Sequence, residues 1–389
     1  MITFCIPSKN NLRYLKNSIK SINKNSFYTN DIIVYVDASE DGTIEWLKEN
    51  NTPYIVNTAN RPKGIAYAYN RCIEAAETEV VCMFHADMFM GKDFDKNILK
   101  HLKPKTVIAG TRIEPPLHPA GKEKIVHNFG MYPEDFVEEA FSSFVQQEQV
   151  QSKDQVTYGI FAPWACYKSE LIETGLHDES FHSYQEDSDI FNRMILSGME
   201  CIQSRDALVY HLTCRGGQFQ DGIEQVTKDT AFHQMKDNAA RNYLRKWGSW
   251  VKNDEYQHPI IPPKYNIAYI AKHANMQIVE ALEPWCDRLY IEDSMQVITD
   301  SYREKEQPNT KFDLSKRVLT LEYNDPKGEN DIVVEFDARN FTQQSFQIIQ
   351  QLPEIIKQSG EVGQFELDIF KITINSMTEY QNDLIVCNN

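Results

Sequence analysis

The sequence has no long apolar run. No window approaches the roughly 20 consecutive hydrophobic residues of a membrane-spanning helix, which leaves at most a peripheral contact with lipid. Positive charge is also scarce. Lys and Arg total 40 against 56 Asp and Glu, a formal net charge of -16. That balance argues against a nucleic-acid binder. An acidic chain that handles a phosphorylated ligand needs local help from a cation, a helix N-terminus or a few basic side chains. The eight cysteines never form a CxxC pair or a metal-finger spacing, which points to reduced thiols in a cytosol-like compartment. A basic leader and a cleavage site are missing too. Met1-Ile2-Thr3-Phe4-Cys5-Ile6-Pro7 therefore reads as a first β-strand rather than a signal peptide.

What is present is a length of 389 residues, enough for two domains or three, with 41% hydrophobic and 25% charged residues, as in soluble globular chains. Up to about residue 210, apolar runs alternate with helical patterns. Strands are expected at 2–6, 32–36, 54–56, 80–84 and 107–111. Helices are expected at 11–24, 43–49, 64–76, within 133–150, and at 188–196 and 231–248. This alternation predicts an α/β domain with a mostly parallel sheet, whose ligands sit at the carboxyl ends of the strands. A proline-rich segment, "QHPIIPPKY", reads as a linker. Beyond it, strands are expected at 267–270, 289–291, 318–322, 332–336 and 365–374, and helices at 277–283, 294–305 and 343–358. The expected division is a domain over 1–250, a linker over 251–264 and a smaller α/β domain over 265–389.

The strand ends carry the chemistry. One apolar run stops on His85-Ala86-Asp87, and residues two apart in a strand point to the same side. A carboxylate there, beside a diphosphate, suits Mn²⁺ or Mg²⁺. As ordinary structure, His85 would be a core residue and Asp87 a turn residue. Asp37 ends the second strand, where it can accept from a base N–H or a ribose hydroxyl, or can cap a helix. Glu186, Asp187 and Asp189 open a helix. Acids are favoured there by the helix dipole, yet one of them near a hydroxyl can act as a general base. His211 ends a further apolar run and is a metal ligand only if the fold brings it to Asp87. Trp164, His182 and Tyr184 flank the acids and can stack on a sugar or pack in the core. "TRIEPP" at 111–116 can line the same side, and "TCRGGQFQDG" after His211 reads as a flexible loop.

The order of these elements resembles the family-2 glycosyltransferases with their GT-A fold. The matching motifs are the strand ending in Pro7-Ser8, the turn Val36-Asp37-Ala38-Ser39-Glu40-Asp41-Gly42-Thr43, and the helix start Lys63-Gly64 through Asn70. The Asp-x-Asp-like His85-Ala86-Asp87, the helix Glu186-Asp187 through Arg193 with Ser197-Gly198-Met199, and His211 complete the set. The resemblance covers about residues 1–250. It implies a GT-A domain and a metal-dependent, inverting transferase acting on a nucleotide-sugar donor, UDP-sugar by default, and a glycan or glycoconjugate acceptor, as in polysaccharide biosynthesis. Pro7, Ser8, Asn10 and Asp37 would hold the base and ribose, with Lys63, Asn70, His85 and Arg215 as further donor-binding residues. Asp87, with His211, would hold the divalent cation. Asp187 would be the catalytic base, with Glu186 as its alternative, and Trp164, His182 and Tyr184 would face the acceptor.

The pattern also departs from the family's. His85 replaces the first Asp of Asp-x-Asp, which leaves the ribose or metal contact of that position open. The turn after Asp37 is one residue short, with Ala38 where a second Asp is common. Tyr69 replaces the arginine that often precedes the helix asparagine, so Arg215 is the candidate for the diphosphate. Two other readings stay in view. A sugar-nucleotide nucleotidyltransferase ranks lower, because Ser8-Lys9-Asn10-Asn11 lacks the glycines of its phosphate loop. A nucleotide-sugar-binding protein without activity is the other. The C-terminal region carries no motif tied to chemistry.

Overall fold

The computed structural model describes residues 1–59, 61–216, 218–219, 229–293, 295–322, 324, 326 and 330–380. Its contacts separate two units. One holds the described residues of Met1–Met235 with Asn253–Ile260, and the other holds Lys236–Lys252 with the described residues from Ile261 on. Residues 236–252, which the sequence reading divides between the first domain and the linker, fall in the second unit.

The first unit runs β1 (Ile2–Ser8), α1 (Leu12–Asn25), β2 (Asp31–Val36), α2 (Thr43–Glu49), β3 (Tyr54–Val56), α3 (Ile65–Ala75), β4 (Val80–Met83), β5 (Met88–Met90) and α4 (Phe94–Leu99). It continues with β6 (Thr106–Glu114), β7 (Lys124–Val126), α5 (Glu138–Gln151), β8 (Val156–Thr157), β9 (Trp164–Tyr167), α6 (Lys168–Glu173), α7 (Glu186–Leu196) and β10 (Glu200–His211). Helix α1 forms because Leu15, Ile19 and Ile22 make one buried stripe. All residues of β4 are buried, as in a strand covered on both faces.

The sheet order is β3-β2-β1-β4-β9-β6-β10-β5. It is mostly parallel, running parallel through β3, β2, β1 and β4 and again between β6 and β10. Strand β9 inserts antiparallel between β4 and β6, and β5 lies antiparallel along the end of β10. The sequence pattern shows neither β5 nor β9, strands of 3 and 4 residues.

The second unit takes most of α8 (Thr230–Trp247), then β11 (Ile267–Lys272), α9 (Met276–Leu282), β12 (Arg288–Ile291), α10 (Val297–Glu306), β13 (Val318–Thr320), β14 (Ile332–Asp337), α11 (Gln343–Ser359), β15 (Gly363–Leu367) and β16 (Phe370–Ile374). Its sheet runs β13-β12-β11-β14-β16-β15. The one strand expected over 365–374 is a hairpin instead, turning where Asp368 takes a left-handed φ of 54°. Among the described residues, no helix is long and apolar enough to cross a membrane. The glycine-bearing loop after His211 lies partly outside the described residues.

Helix α7 carries the acid cluster, and a buried ion pair fixes its inner face. Arg193 Nε donates to Asp189 Oδ2 at 2.8 Å, and both side chains are fully buried. The guanidinium also donates to the Thr174 and Leu176 carbonyls at 2.8 and 2.6 Å. Asp189 is thus a structural acid. Asp189→Ala leaves a buried guanidinium uncompensated. It is expected to cost about 3–5 kcal/mol in urea unfolding, and Asp189→Leu with Arg193→Met to recover part of that loss.

Candidate active site

Strand pairing explains how His85, Asp87 and His211 meet. Strand β4 ends at Met83, and the chain turns through His85-Ala86-Asp87 into β5. There Met88 pairs with His211 at the end of β10, and the Leu212 N–H donates to the Asp87 carbonyl at 3.0 Å. One ligand atom from each of His85, Asp87 and His211 lies within 4.8 Å of the others. His211 Nε2 stands 3.4 Å from Asp87 Oδ1, and it has no hydrogen-bond partner among the described residues.

The other face of His211 is held by a residue that the motifs do not mark. Strand β6 runs parallel to β10 and ends on Glu114. His211 Nδ1 donates to Glu114 Oε1 at 2.9 Å. Lys124 on β7 donates to Glu114 Oε2 at 2.9 Å, and the Arg112 Nε lies 3.6 Å from the same carboxylate. The signal lay in the alternation of Arg112 and Glu114 at a strand end, within the stretch expected to line the acceptor side. Burial alone would lower the His211 pKa, but Asp87 and Glu114 outweigh it and push it up to about 9. Asp87 is held below the ordinary carboxylate range against its burial, chiefly by His211. Burial and then the His211 charge push His85 down to about 4. A neutral His85, an unpartnered Nε2 and a carboxylate oxygen form a donor set that fits a divalent cation. Binding one would displace the His211 proton.

Around the first strand end the residues divide into contacts and supports. Ser8 is buried, and its hydroxyl has no partner among the described residues. Pro7 beside it is half-buried. Asp37 is committed to a neighbouring loop. Its oxygens accept from Asn57 Nδ2 at 2.7 Å and from the backbone N–H groups of Lys63 and Gly64 at 2.9 Å each. Asn10, exposed with a left-handed φ of 51°, accepts from the Glu40 N–H at 2.8 Å. The Lys63 ammonium sits 5.6 Å from the Tyr67 ring centre. Gly64 has φ +89°, and a Cβ there would fall 2.0 Å from the His182 carbonyl oxygen, which also accepts from the Ile65 N–H. Only glycine fits.

Arg215 lies close by. Its backbone N–H donates to Asp87 Oδ2 at 3.2 Å, and its guanidinium packs 5.3 Å from the Tyr132 ring centre. Nη2 donates to the Met131 carbonyl. Nε and Nη1 are buried without a partner among the described residues. Two further candidates lie deep in the unit. Asn70 is fully buried, and its amide is spent on His177 and Glu179, tying α3 to the loop before α7. Trp164 is 2% exposed and packs on Phe191 and His177 in the core.

The acids enter α7 through a tight bend in which Tyr184 and Gln185 have left-handed φ values of 70° and 68°. Asp187 Oδ1 accepts from its neighbour Ser188, N–H at 2.7 Å and Oγ at 3.4 Å. Glu186 Oε2 is buried without a partner among the described residues. Burial and then the Asp187 charge push Glu186 up to about 8. Burial also raises Asp187, against the pull of Ser188 and Arg112. Arg112 acts on both Asp187 and His85, so one guanidinium is within electrostatic range of both groups. Tyr184 is half-buried against Phe232, with ring centres 5.5 Å apart. His182 is exposed, with Nε2 3.1 Å from the Pro62 carbonyl.

Residues 3–173 match the model of the family described as glycosyl transferase family 2. Over 250 residues the chain is 22% identical to an uncharacterized glycosyltransferase, YfnE, of Bacillus subtilis (strain 168), in a match taking in 53% of this chain and 63% of that relative. The mannosyltransferase PcManGT from Pyrobaculum calidifontis, solved with GDP-Man and Mn2+, matches at TM-score 0.41 and 16% identity over 62% of each chain. GalNAc-T7 with UDP, GalNAc and Mn2+ matches at TM-score 0.45 and 12% identity, over 79% of this chain and 54% of that one. The chain thus spans less than two thirds of the length of each of these three. With the mostly parallel strand order, the Asp37 turn and the His85–Asp87 strand end in place, the N-terminal unit is a family-2-like glycosyltransferase domain, matched over residues 3–173.

Proposed function

We propose that this protein is a metal-dependent, inverting glycosyltransferase. Its donor is a nucleoside-diphosphate sugar, a UDP-sugar in the first instance, and its acceptor is a hydroxyl of a glycan or glycoconjugate. The observation that carries this reading is the meeting of His85, Asp87 and His211 within 4.8 Å, with the unpaired Arg215 donors beside Asp87. His85, Asp87 and His211 would hold Mn²⁺ or Mg²⁺, which when bound offsets charge on the departing diphosphate. Arg215 supplies unpaired N–H donors for the same charge. Ser8 and the Asp37-fixed loop shape the base and ribose side. Every described cysteine is a free thiol, as suits a reducing, cytosol-like compartment.

Asp187 is the proposed base. It takes the proton of the acceptor hydroxyl as that oxygen attacks the anomeric carbon from the face opposite the leaving group. Burial raises its pKa, which strengthens it as a proton acceptor, while the Ser188 N–H and Arg112 pull toward the anion. Glu186, with no donor on Oε2, keeps its proton. Half-buried Tyr184 and the exposed ring of His182 lie beside these acids on the acceptor side.

A panel of nucleotide sugars with Mn²⁺ tests the reading by release of free nucleoside diphosphate. The wild type is expected to turn over at least one donor. Asp187→Asn is expected to lower kcat by about 10²–10⁴-fold while leaving nucleotide binding intact. Asp87→Ala is expected to lose turnover and cation-dependent nucleotide binding together. Release of pyrophosphate from a nucleoside triphosphate, or binding with no turnover of any donor, would overturn the assignment.

A pH experiment separates the two acids. With Glu186 pushed up to about 8 in the folded chain, its contribution to stability is full below the ordinary carboxylate range. It is lost as pH rises through about 8. Glu186→Gln keeps the neutral form at every pH. Its stability advantage over wild type, measured by denaturant titration, is expected to grow from pH 6 to 9 and reach on the order of 1–3 kcal/mol. An advantage independent of pH would show that Glu186 is ionised in the native state.

A further inference from the structure

Residues 1–30 carry five of the chain's 40 Lys and Arg and none of its 56 Asp and Glu. Four of the five, Arg13, Lys16, Lys20 and Lys24, lie on α1 at spacings of three and four. They form one exposed stripe opposite the buried Leu15, Ile19 and Ile22. Surface helices usually mix both signs, because like charges four residues apart repel. Here a chain of net charge -16 gathers cations on one helix face with no acid among them. Acids from other elements meet the two ends of the stripe, Glu134 at Arg13 and Glu138 at Lys24. Lys16 and Lys20, between those ends, have no ion pair among the described residues.

The stripe leads into an exposed aromatic pair. Phe27 and Tyr28, just after α1, are 54% and 43% exposed, with ring centres 4.9 Å apart. Their backbone is fixed from inside. Asp95, near the start of α4, is fully buried. Its carboxylate accepts from the N–H groups of Phe27 and Tyr28 at 2.9 Å each and from the Asn30 amide at 2.6 Å. Lys96, the next residue, sets its ammonium 4.4 Å from the Phe27 ring centre. A buried carboxylate therefore holds two apolar rings out in water, with a cation against one of them. At its other end the stripe reaches the rim of the candidate active site. Arg13 packs 5.0 Å from the Tyr132 ring centre, and Arg215 packs on the same ring.

We infer that this face of α1, with Phe27 and Tyr28, docks the protein on an anionic phospholipid bilayer. A bilayer surface uses both features at once. Its acidic headgroups attract the ammonium groups, and the rings settle at the headgroup boundary. A soluble polyanion would engage the cations and leave the rings in water. The acidic remainder of the chain is repelled by the same lipids, which favours approach by this face.

The test is sedimentation of the full chain with vesicles. It needs no nucleotide sugar, so its outcome is separate from that of the transferase assay. Vesicles of phosphatidylcholine alone are compared with vesicles of phosphatidylcholine and phosphatidylglycerol. The wild type is expected to bind the mixed vesicles about tenfold or more tightly than the neutral ones, and to be released as salt is raised to about 1 M. Lys16→Gln with Lys20→Gln is expected to weaken that binding about tenfold or more. Phe27→Ser with Tyr28→Ser is expected to weaken it about tenfold while leaving the salt dependence in place. The two pairs lie on different segments, so one remains a check should the other not fold. Equal binding to both kinds of vesicle, sedimentation with neither, or binding unchanged in both double variants would overturn the assignment. Retention on soluble heparin without vesicle binding would overturn it in favour of a soluble polyanion.

Discussion

One buried chain of charge organises the first unit's site: Lys124 to Glu114, Glu114 to His211, His211 to Asp87. Each link joins groups that would be costly to bury alone, and the opposite charges offset part of that cost. The chain depends on main-chain pairing. Parallel pairing of β6 with β10 sets Glu114 beside His211, and antiparallel pairing of β5 with β10 sets Asp87 on its other side. Between these two carboxylates the His211 imidazole is pushed toward its protonated form, against its burial. The site is therefore preset in position and also in charge.

The same pairing decides what is legible in the sequence. Asp87 and His211 are visible because each ends an apolar run, and strand ends are where open α/β sheets place their ligands. Glu114 and Lys124 are not, because their role appears only once β6, β7 and β10 lie side by side. Asn70 and Trp164 each sit in a motif-like position, and the sequence does not show that the fold turns both inward, the amide onto His177 and the indole onto Phe191. The acid cluster divides in the same way. Asp189 and Arg193 lie a helical turn apart on the inner face of α7, while Glu186 and Asp187 stay half-buried. Spacing along a helix distinguishes these faces only when it is known which face is covered.

In the second unit the comparable feature is structural. Glu283, fully buried, receives Arg245 at 2.7 Å, Arg317 at 2.6 Å and the Tyr302 hydroxyl at 2.8 Å. Every contact is a charge-assisted hydrogen bond. The acid follows α9, Arg245 lies on α8 and Tyr302 on α10, so the cluster clamps these helices together around one carboxylate. In the sequence, Glu283-Pro284-Trp285-Cys286-Asp287 is the region's most distinctive stretch and reads as structural. The network gives that reading its physical content. Buried Glu283 is held below the ordinary carboxylate range against desolvation, first by Arg317 and then by Arg245, so it stays an anion with its partners in place.

The departures from the family pattern at the first strand end have a common consequence. Asp37 spends its carboxylate on Asn57 and on the N–H groups of Lys63 and Gly64. Asp41 spends its own on the Leu12 N–H at 2.8 Å and on Thr43. Ala38 takes a left-handed φ of 55°, which lets the shortened turn close. These acids therefore act on the backbone before any ligand arrives. They hold loops that would otherwise have to be ordered on binding, and ordering a loop costs affinity. The turn lacks a second aspartate, and the backbone around it is fixed by hydrogen bonds that are already made. Two groups nearby are left without partners among the described residues: the buried Ser8 hydroxyl, at the end of β1, and the Arg215 Nε and Nη1 donors, in the turn that follows β10.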